Sequence, residues 1–308
     1  MLACAAVRIL FCGSGWLPIL DLLRAGIDVD DELLVWDRRA PLADAVRELN
    51  PDVLLPSNGI VDASVIDAAA RLILIQQPAA GYEGIDLNAA RARNVPVCNA
   101  PGANQVAVAE AALFLLLACA RRYGAAREAF ARAEIGAPLG FELAGKTLGI
   151  IGMGRTGRAL ADRAAALGMR IESLDSTASP TARARFFAAC DAYSIHCPLN
   201  AATRGLVGAE AFAAMRPGAI VINAARGAII DRAALEEALA IGKLGGVGLD
   251  VFWDEPWEPD QPLFRDPRVV VLPHVAGSTR EAFTRIAGIV CENLRRVVRD
   301  EPLLHRVA

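Results

Sequence analysis

Leu143-Ala-Gly-Lys-Thr-Leu-Gly-Ile-Ile-Gly-Met-Gly-Arg-Thr-Gly157 is the stretch on which the fold turns. Its apolar run, Leu148–Ile151, has the length and composition of a buried parallel strand, and the alanine-rich Arg158–Leu167 after it has those of a helix. Three glycines lie between them. Gly152 allows a tight turn, Gly154 lets the backbone approach a pyrophosphate, and Gly157 lets the helix pack closely on the strand. Amides at the helix start, at the positive end of its dipole, then suit phosphates. The next strand ends at Asp175, 23 positions after Gly152. An acid there accepts hydrogen bonds from an adenosine ribose and repels a 2′-phosphate, so the pattern predicts NAD in preference to NADP.

Outward from this loop, short apolar runs alternate with helical stretches, which predicts parallel α/β sheets. The second series of strands is Thr147–Ile151, Arg170–Leu174, Ala192–Ile195, Ala219–Asn223, Val247–Val251 and Val269–Leu272. Six strands with helical crossovers is the inventory of a Rossmann domain. An earlier series, Val7–Phe11, Leu33–Trp36, Val53–Leu55, Leu72–Ile75 and Val95–Cys98, makes a second doubly wound sheet of the flavodoxin-like kind. The turn Gly13-Ser-Gly15 after its first strand mimics a phosphate loop, but Pro18 replaces the third glycine, so no dinucleotide is expected there. The tail Ser278–Ala308, a long amphipathic helix with a short end, is too small for a domain. The expected division is therefore residues 1–98 plus 280–308 as one discontinuous domain, with the dinucleotide domain, 99–279, inserted into it.

Composition narrows the function. The 308 residues are 54% hydrophobic and 22% charged, which excludes wholesale disorder. A net charge of -3 offers no basic field for nucleic acid. The longest apolar run, Ala111–Ala120, is too short to span a membrane and reads as a buried or interface helix. Met1–Ala6 lacks the basic region of a leader, and seven cysteines without a CxxC (Cys4, Cys12, Cys98, Cys119, Cys190, Cys197, Cys291) read as reduced thiols in a cytoplasmic protein, with no metal site.

In open α/β sheets ligands collect at the carboxyl ends of the strands. Three charged residues follow three successive strands of the second series: Arg226 in Asn223-Ala-Ala-Arg-Gly227, Glu255 in Asp250-Val-Phe-Trp-Asp-Glu-Pro256, and His274 in Leu272-Pro-His-Val-Ala-Gly-Ser278. Arginine binds a carboxylate bidentately and polarises an adjacent carbonyl. Histidine supplies a proton to the carbonyl oxygen, and a neighbouring glutamate raises the imidazole pKa and fixes its tautomer. Together they suit a 2-oxo acid. His196, after another strand, either faces the cofactor or satisfies its loop.

These motifs, with Asn99-Ala-Pro-Gly-Ala-Asn104, Val108-Ala-Glu110 and His196-Cys-Pro-Leu199 with Thr203, resemble those of the D-isomer-specific 2-hydroxyacid dehydrogenases over nearly the whole chain. The resemblance implies an NAD(P)-linked homodimer, its contact the Glu110–Ala120 helix, with the discontinuous domain, 1–98 plus 280–308, as its substrate domain. It implies Arg226, Glu255 and His274 as the catalytic set, and Arg155 and Thr156 at the pyrophosphate. Cys197, Pro198 and Thr203 would lie on the adenosine side, Ala224 and Ala225 near the nicotinamide, and Asp250 on its carboxamide. The loop Ala79-Ala-Gly-Tyr82 would hold the substrate carboxylate through amides, giving Ala80 and Gly81 as substrate contacts beside Asn58 and Gly59.

Two departures refine this expectation. Only 21 positions separate Asp175 from His196, short for the family, and this bears on the adenosine side of the site. Pro56-Ser-Asn-Gly59 lacks the cation found where substrates are phosphorylated, so the expected substrate is a small 2-oxo or D-2-hydroxy acid, of the glyoxylate or hydroxypyruvate kind. No regulatory domain is expected. The alternative is an NAD(H)-sensing protein like the family's corepressors, which keep the same three residues but carry a partner-binding extension.

Overall fold

The computed structural model describes residues 6–175 and 177–308; the leader reading at positions 1–5 and Cys4 lie outside them. The chain forms two compact units, one running to Asn104 and resuming at Ser278–Ala308, the other Gln105–Gly277.

The first unit alternates β1 (Arg8–Phe11), α1 (Ile19–Gly26), β2 (Glu32–Val35), α2 (Leu42–Leu49), β3 (Val53–Leu55), α3 (Ala63–Ala68), β4 (Leu74–Gln76), α4 (Leu87–Ala92) and β5 (Val97–Cys98). Its strands are parallel in the order β2-β1-β3-β4-β5, the flavodoxin-like order. One face of the sheet packs Ile9, Phe11 and Leu74 against α1 and Phe283, Val290 and Leu294 of the C-terminal helix. The other packs Leu10, Leu54 and Ile75 against Val46, Val65, Ile66 and Ala90. Strands buried on both faces read as continuous apolar runs.

The second unit carries α5 (Gln105–Ala120), α6 (Tyr123–Ala131), β6 (Thr147–Ile151), α7 (Arg155–Ala166), β7 (Arg170–Leu174), α8 (Pro180–Ala189), β8 (Ala192–Ile195), α9 (Ala209–Ala214), β9 (Ala219–Asn223), α10 (Arg232–Ala240), β10 (Leu244–Leu249), α11 (Pro262–Arg265) and β11 (Val269–Val271). The helix α12 (Arg280–Val298) then returns to the first unit. The six strands of the second unit are parallel, in the order β11-β10-β9-β8-β6-β7. The usual Rossmann order places a further strand outside the second. Among the described residues the short segment after Asp175 holds only α8 before β8 begins, and β7 is the sheet edge. It is exposed at Arg170, Glu172 and Ser173, and charges of this kind discourage edge-to-edge pairing.

The six described cysteines are buried and unpaired, and burial raises their thiol pKa values, Cys12 to about 12. None of the described helices is long and apolar enough to cross a membrane.

Candidate active site

The carboxyl edge of the second sheet brings the sequence candidates into one row. After β6, Gly152 takes a positive φ of 97°, and a Cβ on it would lie 2.5 Å from the Cys197 nitrogen, so only glycine fits. A Cβ on Gly157 would collide with the Gly152 carbonyl, whereas one on Gly154 meets nothing within 4 Å. The loop is therefore tight against its own backbone and open at Gly154. Helix α7 starts there without a side-chain cap, and Arg155 and Thr156 form its first turn. Uncapped amides at an open glycine suit a pyrophosphate.

Asp175 follows β7. Its Oδ1 accepts from the Thr177 amide at 2.8 Å and the Thr177 hydroxyl at 2.7 Å, and these bonds hold the carboxyl below its usual range. After β8, Cys197 is buried against Gly152, Pro198 is exposed, and Thr203 is buried with its hydroxyl donating to Pro198 O at 2.7 Å. Thr203 thus clasps its own loop. His196 does likewise: Nε2 lies 2.8 Å from Ser194 Oγ, and desolvation pulls its pKa down to about 4.

Ala224, Ala225 and Arg226 follow β9. Arg226 Nη1 donates to Ala225 O at 2.7 Å. After β10, Asp250 is buried, with Oδ1 accepting from Val275 N at 2.8 Å and Ala276 N at 3.0 Å. Burial pushes its pKa up to about 6 against those bonds. Glu255 Oε2 lies 2.6 Å from His274 Nδ1, and Oε1 accepts from Phe252 N at 3.0 Å. The side chains remain reachable, 32% exposed for Glu255 and 28% for His274. Burial raises the Glu255 pKa, but the His274 hydrogen bond and charge, the Phe252 amide and the Arg226 charge outweigh it and hold the carboxyl below its usual range. Trp253 and Trp257 pack: Trp253 Nε1 donates to Ile230 O at 2.7 Å, and Trp257 stacks on Phe252 at 4.3 Å.

The remaining candidates lie in the first unit. Asn58 Oδ1 accepts from Ser14 N at 2.8 Å and Gly15 N at 3.3 Å. The amides of the Gly13-Ser-Gly15 turn are thus answered by a side chain of the same unit. Gly59 abuts the Cys12 carbonyl, where a Cβ would lie 2.7 Å away. After β4, the carbonyls of Ala79, Ala80 and Gly81 accept from Ala100 N, Asn99 Nδ2 and Gln77 Nε2 at 2.9, 2.8 and 2.8 Å. In a trans peptide the N–H opposes the C=O, so the amides of Ala80, Gly81 and Tyr82 point away from those partners. The residue that sequence reasoning passed over is Asn223, a lone polar side chain closing an apolar strand. It is fully buried and bonded to the Arg226 turn.

Residues 113–276 match the family model described as the D-isomer specific 2-hydroxyacid dehydrogenase, NAD binding domain. The chain is 38% identical over 295 residues to a glyoxylate reductase of Thermococcus litoralis, covering 88% of each. It is 38% identical over 267 residues to a D-3-phosphoglycerate dehydrogenase of Archaeoglobus fulgidus, covering 83% of this chain but 51% of that one, so it spans about half the length of such relatives. Among solved structures, the TT0316 protein of Thermus thermophilus superposes with a TM-score of 0.85 at 36% identity, over 98% of this chain and all of that one. On the matched domain and the full-length likeness together, this chain belongs to the D-isomer specific 2-hydroxyacid dehydrogenase family.

Proposed function

We propose that the chain transfers a hydride between NAD(H) and a small D-2-hydroxy acid or its 2-oxo acid, of the glyoxylate or hydroxypyruvate class. The observation that carries this is the Glu255–His274 pair, 2.6 Å apart at the same sheet edge as Arg226 and the open glycine loop. The full-length likeness to a glyoxylate reductase supports it.

The bound dinucleotide supplies the hydride. Gly152, Gly154, Arg155, Thr156 and Gly157 hold its pyrophosphate, and Asp175 its ribose, which favours NAD over NADP. Cys197, Pro198 and Thr203 would line the adenosine side, and Ala224, Ala225 and Asp250 the nicotinamide side. Arg226 binds the substrate carboxylate and polarises the adjacent carbonyl. Glu255 occupies His274 Nδ1, which leaves Nε2 to give a proton to the substrate's carbonyl oxygen. Glu255 also fixes the orientation of the ring through that contact.

In the first unit, taken by itself, the outward amides of Ala80 and Gly81 suit a carboxylate. Asn58 and Gly59 belong to the same substrate reading, Asn58 by bracing its turn. Neither loop brings a cation, which disfavours a phosphorylated substrate. The exposed apolar residues Phe114, Leu117, Phe130, Ile135 and Leu139 are the basis for proposing a homodimer around α5.

NADH oxidation on mixing with glyoxylate tests this reading. Arg226→Ala should lower kcat/KM by about a hundredfold or more, the scale of losing a charge-assisted substrate contact. Unchanged turnover in that variant contradicts it.

A further inference from the structure

Asn223 ends β9, a strand otherwise made of alanine, isoleucine and valine, and has no exposed surface. Both ends of its carboxamide go to the turn that follows. Oδ1 accepts from Ala225 N at 3.0 Å, and Nδ2 donates to Arg226 O at 2.9 Å. Its own carbonyl accepts from Asp250 N at 2.9 Å, which ties the turn to the next strand end. Beyond the turn, Gly227 presses on the Phe252 carbonyl so closely that any Cβ would overlap it, and the Phe252 amide is the one bound by Glu255 Oε1. One buried side chain therefore holds the peptide that enters Ala225 and the peptide that leaves Arg226, bracketing the Ala225–Arg226 link, and the same backbone leads to Glu255.

A buried amide is a costly way to fill the end of an apolar strand; an aliphatic residue of similar size would pack there without needing partners. What an amide supplies is a donor and an acceptor at once, directed at the two peptides that flank the Ala225–Arg226 link. We propose that Asn223 is a positioning residue for Arg226. It sets the direction in which the guanidinium leaves the turn, and through it the affinity for the substrate carboxylate, without touching substrate or cofactor. This rests on the reading of Arg226 as carboxylate anchor.

The test measures binding of oxamate, an unreactive amide analogue of a 2-oxo acid, to the protein with NADH present, alongside steady-state KM and kcat. Asn223→Ala should weaken oxamate and raise KM by about tenfold, with NADH affinity within about twofold of the parent. In an Arg226→Ala background the same substitution should add nothing, because both act through one side chain. Asn223→Asp keeps the size and the acceptor for Ala225 N while removing the donor to Arg226 O. As an ionised carboxylate it should lower the melting temperature, yet in protein that still melts cooperatively it should show the same loss of oxamate binding, which keeps the test open if the alanine variant does not fold. Wild-type oxamate binding in the aspartate variant, or further weakening in the Arg226→Ala background, overturns the proposal. If Arg226→Ala itself binds oxamate like the parent, the anchor reading has failed and this inference falls with it, an outcome distinct from loss in Arg226→Ala but not at Asn223.

Discussion

At His274 the backbone is left-handed, with φ 53°, a conformation that few side chains adopt and that neighbours must hold in place. Asp250 does so by accepting the next two amides, from Val275 and Ala276. Glu255 then fixes the ring. Since Glu255 is held below the usual carboxylate range, it is ionised at neutral pH. Glu255→Gln keeps the size but removes the charge facing Nδ1, and should lower kcat/KM for 2-oxo acid reduction by about tenfold or more. Parent-like kcat/KM in that variant contradicts the pairing. Arg226, Glu255 and His274 were legible as candidates because each is a charge just past an apolar run. The bonds that hold them were not. Asp250 reaches Ala276 across 26 positions, and no spacing rule announces that. The Asn223 clamp is local, yet an asparagine at a strand end reads equally well as an ordinary turn.

Helix α5 is apolar around most of its circumference, Glu110 apart, the pattern of an element covered on most sides. Leu115, Leu116 and Cys119 pack on the sheet, while Phe114 and Leu117 face outward, 49% and 40% exposed. If a second copy covers them, Phe114→Glu with Leu117→Glu should turn the parent's dimer into a monomer in analytical ultracentrifugation. A parent that already sediments as a monomer contradicts the dimer. The helix was legible from its apolar run, although it starts at Gln105, ahead of that run. Strand β10 was read too late, as Val247–Val251, whereas it spans Leu244–Leu249. Its glycines hid it: Gly246 and Gly248 weaken a strand signal, but a Cβ on either would lie 2.8 Å from Cys119 or Leu115 of α5, so close helix packing requires them. The edge position of β7 was also not legible, because the short Asp175–His196 segment shows in sequence only as a missing length.

Across the whole molecule, two desolvated groups, His196 and Asp250, set opposing pH dependences. His196, pulled down to about 4, contributes stability that is complete above its unfolded pKa of about 6.5 and is lost as pH falls through about 4. Asp250, pushed up to about 6, contributes stability that is complete below its unfolded pKa and is lost as pH rises through about 6. Each is worth about 3 kcal/mol, and the two largely cancel between pH 4 and 6.5. Urea unfolding at pH 4.5 and 6.5 should therefore show His196→Gln losing less stability on acidification than the parent, and Asp250→Asn losing more. Identical pH differences in all three proteins contradict the assignment. The two-sheet architecture was legible because both series of apolar runs alternate with helical stretches. The closure of the first sheet was not: Val307 N and Ala308 N donate to Val97 O and cover the edge of β5, and Asn293 Oδ1 accepts from Leu304 N to hold that tail. Isolated bridges of this kind leave no periodicity in a sequence. Hydride transfer to a small, unphosphorylated 2-oxo acid is read by NADH oxidation against glyoxylate, hydroxypyruvate, pyruvate and phosphohydroxypyruvate, repeated with NADPH. Turnover of the small acids with NADH, at a kcat/KM at least about tenfold above that for the phosphorylated acid, is the predicted result. NADH binding without turnover of any of the four, or a preference for the phosphorylated acid, would contradict it.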